Sequence, residues 1–169
     1  EHIDFSLQEL IGQVEQMLLQ KADEKEIKLI VEIDQNIPIL IGDPVRLYQV
    51  FMNLVGNAIK FTEEGFVKLM AKANQLDNSA VQIKFSIIDT GIGIPKDKLE
   101  SVFETFSQAH SSDARLYGGT GLGLTISRQL VELLGGTIFI ESEEGTGTII
   151  SFQLHVEKGS VESLQQRAE

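Results

Sequence analysis

A two-layer α/β sandwich, with one mixed sheet covered on one face by helices, is the fold class this sequence predicts. Three observations predict it. Residues 81–89 alternate, with Val81, Ile83, Phe85 and Ile87 set against Gln82, Lys84 and Ser86, the period-two pattern of a half-buried strand. Residues 7–25 and 44–60 instead repeat their apolar side chains at helical spacing. Two pairs of strand-like runs, 66–74 with 81–89 and 137–142 with 148–156, are each separated by a short turn. The sheet is therefore expected to be mostly antiparallel, with three main helices on one face. The pattern leaves the strand order open.

The elements follow in order. Ile3 to Phe5 reads as a short strand. Ser6 and Glu9 have capping-box spacing, each able to satisfy a free N–H at a helix start. A helix over 7–25 follows, with Leu7, Leu10, Ile11, Val14, Met17 and Leu18 on its apolar stripe. Strands are expected at 28–33 and 39–41. Asp43-Pro44 then opens a second helix, because aspartate caps free N–H groups and proline lacks one where none is needed.

After Lys60 come strands at 66–74 and 81–89, joined by a turn over 75–80. Pro95 opens a short helix to Phe103. Residues 104–120 lack periodicity and are expected to form a mobile loop before a helix over 122–134. Gly135-Gly136 ends that helix, and the last two strands meet at Gly145-Thr146-Gly147. The polar segment 157–169 reads as a linker or tail, leaving 1–156 as the domain.

Composition narrows the function classes. At 169 residues and 18.7 kDa, one domain with a substantial core is expected. A net charge of −11 argues against a general grip on nucleic acid, which needs a basic face. The absence of cysteine rules out disulfides and thiolate-bound metals. No apolar run approaches the roughly 18 residues of a membrane span, and no signal-peptide pattern is present. A start at Glu1 is expected of a piece of a longer protein. The piece is expected in the cytoplasm, with the parent open to membrane anchoring.

Three motifs carry chemistry. On the second long helix, Arg46, Gln49, Asn53, Asn57 and Lys60 fall within about 80° of one another at helical spacing. An ordinary amphipathic surface helix gives the same division, yet mid-helix asparagines are poor helix formers. An amide oxygen can join an octahedral Mg²⁺ shell, and a lysine one turn on can meet phosphates.

Asp89 closes a strand and is followed by Gly91 and Gly93. A carboxylate there can accept from an exocyclic amine, while the glycines admit a flat base; a plain turn is the alternative. Gly118 to Gly123 runs into a helix start that favours anions. Neither G-x-G-x-x-G nor the P-loop pattern occurs, so a nucleotide site here needs another geometry.

The order and content of these motifs resemble the ATP-binding catalytic domain of bacterial sensor histidine kinases, of the Bergerat-fold superfamily. The resemblance runs from about Phe5 to Leu154. Asp43-Pro44-Val45-Arg46-Leu47 through Thr62 is similar to the N box, and Asp89 to Ile94 to the G1 box. Phe103-Glu104-Thr105-Phe106 is similar to the F box, Gly119-Thr120-Gly121-Leu122-Gly123-Leu124 to the G2 box, and Gly145-Thr146-Gly147-Thr148 to the last glycine turn.

The resemblance implies ATP and Mg²⁺ as cofactors. It implies that Asn57 holds Mg²⁺, with Asn53 close to metal and phosphates. Lys60 then contacts phosphate, Asp89 recognises the adenine amine, and Thr148 faces the adenine pocket through water. Arg115 and Tyr117 match the family's lid, where the arginine reaches the terminal phosphates and the tyrosine covers the nucleotide. Hydrolytic relatives place a glutamate base four residues before the metal-binding asparagine; here that position is Asn53, which favours phosphoryl transfer to a protein side chain.

The histidines His2, His110 and His155 lack the acceptor-box context, so the acceptor is expected on a separate dimerisation domain, with a receiver domain as an indirect partner. Two alternatives accompany this reading: a non-catalytic nucleotide-binding or docking module, and a hydrolytic ATPase of the same superfamily.

Overall fold

The structure, a computed structural model, describes residues 2–99, 101 and 120–168. Strands are β1 (Ile3–Phe5), β2 (Lys28–Ile33), β3 (Leu40–Gly42), β4 (Phe66–Gln75), β5 (Ala80–Asp89), β6 (Thr137–Glu143) and β7 (Gly147–Lys158). Helices are α1 (Leu7–Glu24), α2 (Pro44–Lys60), α3 (Lys96–Leu99), α4 (Thr120–Leu133) and α5 (Val161–Ala168). The expected strands and long helices are all present, displaced by a residue or two at their ends.

The strands form one sheet in the order β1-β3-β7-β5-β4-β2, with β6 also paired to β7. Only the β2–β4 pair is parallel, joined across β3 and α2. The long antiparallel ladders β4–β5 and β5–β7 make the centre, and β5 registers Asp89 opposite Thr148 of β7. Inward residues of these strands meet α1, α2 and α4 in a core centred on Phe51, Phe85 and Phe152, whose neighbouring rings lie 5.0–6.1 Å apart.

Local signals explain the helix ends. The Ser6 hydroxyl accepts from the Glu9 N–H at 3.3 Å, and the Asp43 carboxylate accepts from the Arg46 N–H at 3.1 Å. At the end of α4 the Gly136 N–H reaches the Val131 carbonyl and the Gly135 N–H reaches Glu132, with Gly135 at φ +91°. This is a Schellman closure that a glycine makes without strain.

Two expectations need correction. Met17 is 60% exposed, although Leu7, Leu10, Ile11, Val14 and Leu18 are buried as the stripe requires. It sits about 80° from Leu7 around the helix, at the edge of the arc facing the sheet. The segment after 156 is more ordered than a tail: β7 runs to Lys158 and α5 follows, capped by the Ser160 hydroxyl accepting from Ser163 N–H. Of the loop expected at 104–120, residues 104–119 lie outside the described residues, as does the end of the Pro95 helix, whereas Thr120 already opens α4, two residues earlier than expected.

Candidate nucleotide site

The N-cap at Asp43 and the apolar face of α2 fix how that helix presents its polar stripe. Leu47, Val50, Phe51, Leu54, Val55, Ala58 and Ile59 are buried, whereas Asn53 and Asn57 are half-buried and Lys60 is exposed. Asn53, Gly56, Asn57 and Lys60 line one side of a groove of about 640 Å³, and Lys21 and Glu24 of α1, with Lys25 at its C-cap, line the other. A Cβ at Gly56 meets nothing within 4 Å, so this glycine widens the groove. The Lys60 ammonium lies 5.7 Å from the centre of the Phe61 ring.

The end of α2 is tied to the next motif. Phe61 caps the helix, and its carbonyl accepts from the Ile92 N–H at 3.2 Å. A Cβ at Gly91 would run into that same carbonyl, so only glycine permits this approach. The amide stripe and the Asp89 turn therefore share one wall of the molecule.

The Asp89 turn is densely wired. Its carboxylate accepts from the Gly91 N–H at 2.9 Å and from the Thr148 N–H. Burial nevertheless lifts the Asp89 carboxyl above its usual 3.8, outweighing both donors. The Ser142 hydroxyl accepts from the Ile94 N–H at 2.7 Å and lies 2.7 Å from the Thr148 hydroxyl, which is itself buried. Gly93 adopts φ +71° against the Glu143 carbonyl, and the Gly145 N–H reaches the Ile92 carbonyl at 2.7 Å. The hairpin between β6 and β7 thus clamps the turn.

The expected site residues divide accordingly. Asn53, Asn57 and Lys60 come together on the groove, and Asp89, Gly91, Gly93, Ile94 and Thr148 come together at the turn. Thr120, Gly121 and Leu122 occupy the first turn of α4. Arg115, Tyr117 and Gly119 lie outside the described residues.

Three contributors were not anticipated. Lys25 donates to the Ile59 and Lys60 carbonyls at 2.8 and 2.9 Å, fixing the end of α2. The Thr90 hydroxyl accepts from Phe66 N–H and reaches the Glu64 carbonyl, both at 3.0 Å. Ser142 breaks the inward apolar series Ile138 and Ile140 on β6, a signal that was legible in the sequence.

Among the described residues no group of three or more histidines and carboxylates could hold a metal alone. The groove offers amide oxygens instead, a donor set suited to an ion that takes its remaining ligands from water and phosphate. Nor is any helix there long and apolar enough to cross a membrane.

An α/β sandwich with a partly buried carboxylate beside glycine turns, an amide-lined groove and no P-loop defines a Bergerat-type nucleotide-binding domain. Residues 42–158 match the family described as "Histidine kinase-, DNA gyrase B-, and HSP90-like ATPase", and the chain belongs to that family. It is 41% identical over 98% of its length to hybrid signal transduction histidine kinase K of Dictyostelium discoideum, and 40% identical over 93% to histidine-protein kinase BarA of Escherichia coli. It spans only 14% and 17% of those proteins' lengths, and the likeness is not confined to bacteria.

Among solved structures, the catalytic domain of histidine kinase ThkA superposes with a TM-score of 0.72 at 31% identity, covering 91% of this chain and 95% of that one. Full-length ShkA, solved in complex with AMPPNP, gives 0.78 at 30% identity, covering 95% of this chain and 32% of ShkA. Fold and sequence together are those of the ATP-binding catalytic domain of histidine kinases.

Proposed function

We propose that this chain binds Mg²⁺-ATP and donates its γ-phosphoryl group to a histidine on a separate dimerisation domain of the same protein. The observation that carries the reading is the junction at Phe61, which joins the amide groove of α2 to the Asp89 turn. Adenine sits at Asp89, its amine donating to the carboxylate, with Ile94 beside the base and Thr148 behind it. Gly91 and Gly93 let the turn close on the Phe61 and Glu143 carbonyls. The phosphates extend along the groove toward Lys60 and the N–H groups at Thr120, Gly121 and Leu122.

Asn57 would hold Mg²⁺, with Asn53 beside it, and the metal supplies charge neutralisation at the phosphates. The family resemblance assigns Arg115 and Tyr117 to the ATP lid and Gly119 to the G2 box. In the transfer, an imidazole nitrogen forms a bond to the γ-phosphorus as the bond to the β–γ bridging oxygen breaks, and ADP leaves. The domain positions and neutralises; the acceptor supplies the nucleophile. Asn53 offers no base to activate water, which supports transfer over hydrolysis.

Relatives that are hybrid kinases support a receiver domain as the next acceptor. The test is titration with a nonhydrolysable ATP analogue with and without Mg²⁺, followed by transfer to a supplied acceptor-histidine domain. No binding at millimolar nucleotide would leave only the docking-module reading. Steady phosphate release that survives Asn53→Ala but is abolished by Asn57→Ala would establish hydrolysis instead.

A further inference from the structure

The helices cover one face of the sheet, and among the described residues no helix covers the other. Register shows what it carries. One row across the strands reads Ile30, Lys68, Ile88, Ile149 and Glu141; the next reads Glu32, Met70, Ser86, Ser151 and Phe139. Phe139 is 58% exposed and Ile149 38%, with Met70 and Ile88 half-buried beside them. The two small serines keep the middle of this apolar surface flat.

The third row begins with Lys72 directly opposite Lys84. Directly opposed residues of an antiparallel pair have Cα atoms about 4.5–5.5 Å apart, and like charges there are destabilising. Neither lysine belongs to an ion pair among the described residues. Outward residues of β4 and β5 include Lys68, Lys72 and Lys84 and no carboxylate, in a chain of net charge −11. Carboxylates on this face keep to its margins: Glu32, which meets Lys68 at 3.4 Å, Glu141 and Glu143 on β6, and Glu157 near the end of β7.

We propose that this open sheet face docks another protein domain through an acidic surface with an apolar centre. Charge complementarity selects that occupant. Carboxylates placed over Lys72 and Lys84 relieve their mutual repulsion, while Phe139, Ile149, Ile88 and Met70 bury against apolar side chains. A second copy meeting this face with its own would bring lysine rows together, so the partner is a different surface. The nucleotide groove lies on the helix layer, so docking leaves it accessible.

The test uses amide NMR shifts of the whole chain during titration with a 21-residue amphipathic helical peptide of leucine and glutamate. A leucine–lysine peptide and phosphatidylglycerol vesicles serve as comparisons. Saturable shifts centred on Lys72, Lys84 and Phe139 are expected, weakened about tenfold or more by the double variant Lys72→Glu, Lys84→Glu and also reduced by Phe139→Ser. Both variants should keep wild-type affinity for the nonhydrolysable ATP analogue, which shows that the fold and the nucleotide site are intact. Shifts confined to the groove between α1 and α2, or equal binding of the lysine peptide, would overturn the proposal. So would a preference for vesicles that depends on Lys72 and Lys84, which would make the face a membrane contact.

Discussion

The two halves of the candidate nucleotide site are built differently. At the Asp89 turn, the carboxylate, the Gly91 and Ile94 N–H groups, Ser142 and Thr148 are already held by one another. Along α2, Asn53 and Asn57 stand half-exposed on an open groove, held by the helix they ride on. On the proposed reading the adenine side is preorganised, and the phosphate side would be completed by metal and phosphate. Substitutions should therefore behave differently on the two sides. Changes in the groove should cost function and leave stability alone, whereas changes at the turn should also move stability, in either direction.

The largest effect is expected from Asn57→Ala. Alanine favours the helix, so the melting temperature should not fall. The Mg²⁺-dependent part of analogue binding should drop about 100-fold, measured by titration with and without a chelator. Retained Mg²⁺ dependence would remove Asn57 from the metal role and blur the contrast between the halves.

Asp89→Asn comes next and tests the turn. Losing a charge-assisted acceptor should weaken analogue binding by roughly 10- to 100-fold. Its stability effect has the opposite sign from an ordinary loss of contact. Burial raises the folded carboxyl above the 3.8 of the unfolded chain, so between those values the folded state binds the extra proton. Stability then falls as pH rises through that window, and ionised Asp89 costs stability at neutral pH. The variant should melt no lower than wild type at pH 7, with its relative advantage shrinking in acid. A variant that melts lower at pH 7 while binding ATP normally would make Asp89 a structural residue.

Gly147→Ala should act through stability first. Gly147 sits at φ +143°, and a Cβ there would run into the Asp89 carbonyl. Destabilisation of about 2 kcal/mol is expected in denaturant melts, with nucleotide affinity falling alongside. Lost affinity without lost stability would mean that the hairpin contacts the base rather than bracing the turn.

How much of this was legible beforehand follows from the range of each interaction. Caps such as Ser6, Asp43 and Gly135 act within a few residues, so the helix ends were readable. Asn53, Asn57 and Lys60 were legible as a stripe because helical geometry is local. Ser142 is marked in the sequence as a polar break on β6. The partners that Thr90, Ser142 and Lys25 reach, however, lie in elements distant in sequence, and side-chain pattern does not encode those pairings. The order of α5 depends in part on such a contact, since the Asp4 carboxylate accepts from the Ser160 N–H at 2.9 Å. The fold class was therefore readable, and so was the placement of the amide stripe and of Asp89 in the candidate site. The bracing of the turn required the assembled sheet.

Lys25→Met addresses the smallest of these effects and the seam between the two halves. Helix α1 closes with the Glu26 and Ile27 N–H groups reaching the Asp23 and Ala22 carbonyls, and with Glu26 in the left-handed region at φ 58°. That closure leaves Lys25 aimed at the end of α2, where its ammonium meets two terminal carbonyls and the negative end of the helix dipole. Methionine keeps the apolar stem and removes the charge, so about 1 kcal/mol of stability should be lost. If Lys25 only anchors α2, analogue affinity should change by less than about threefold and Mg²⁺ dependence should persist. A larger loss confined to ATP, with AMP affinity unchanged, would instead place Lys25 among the phosphate-binding groups across the groove from Lys60.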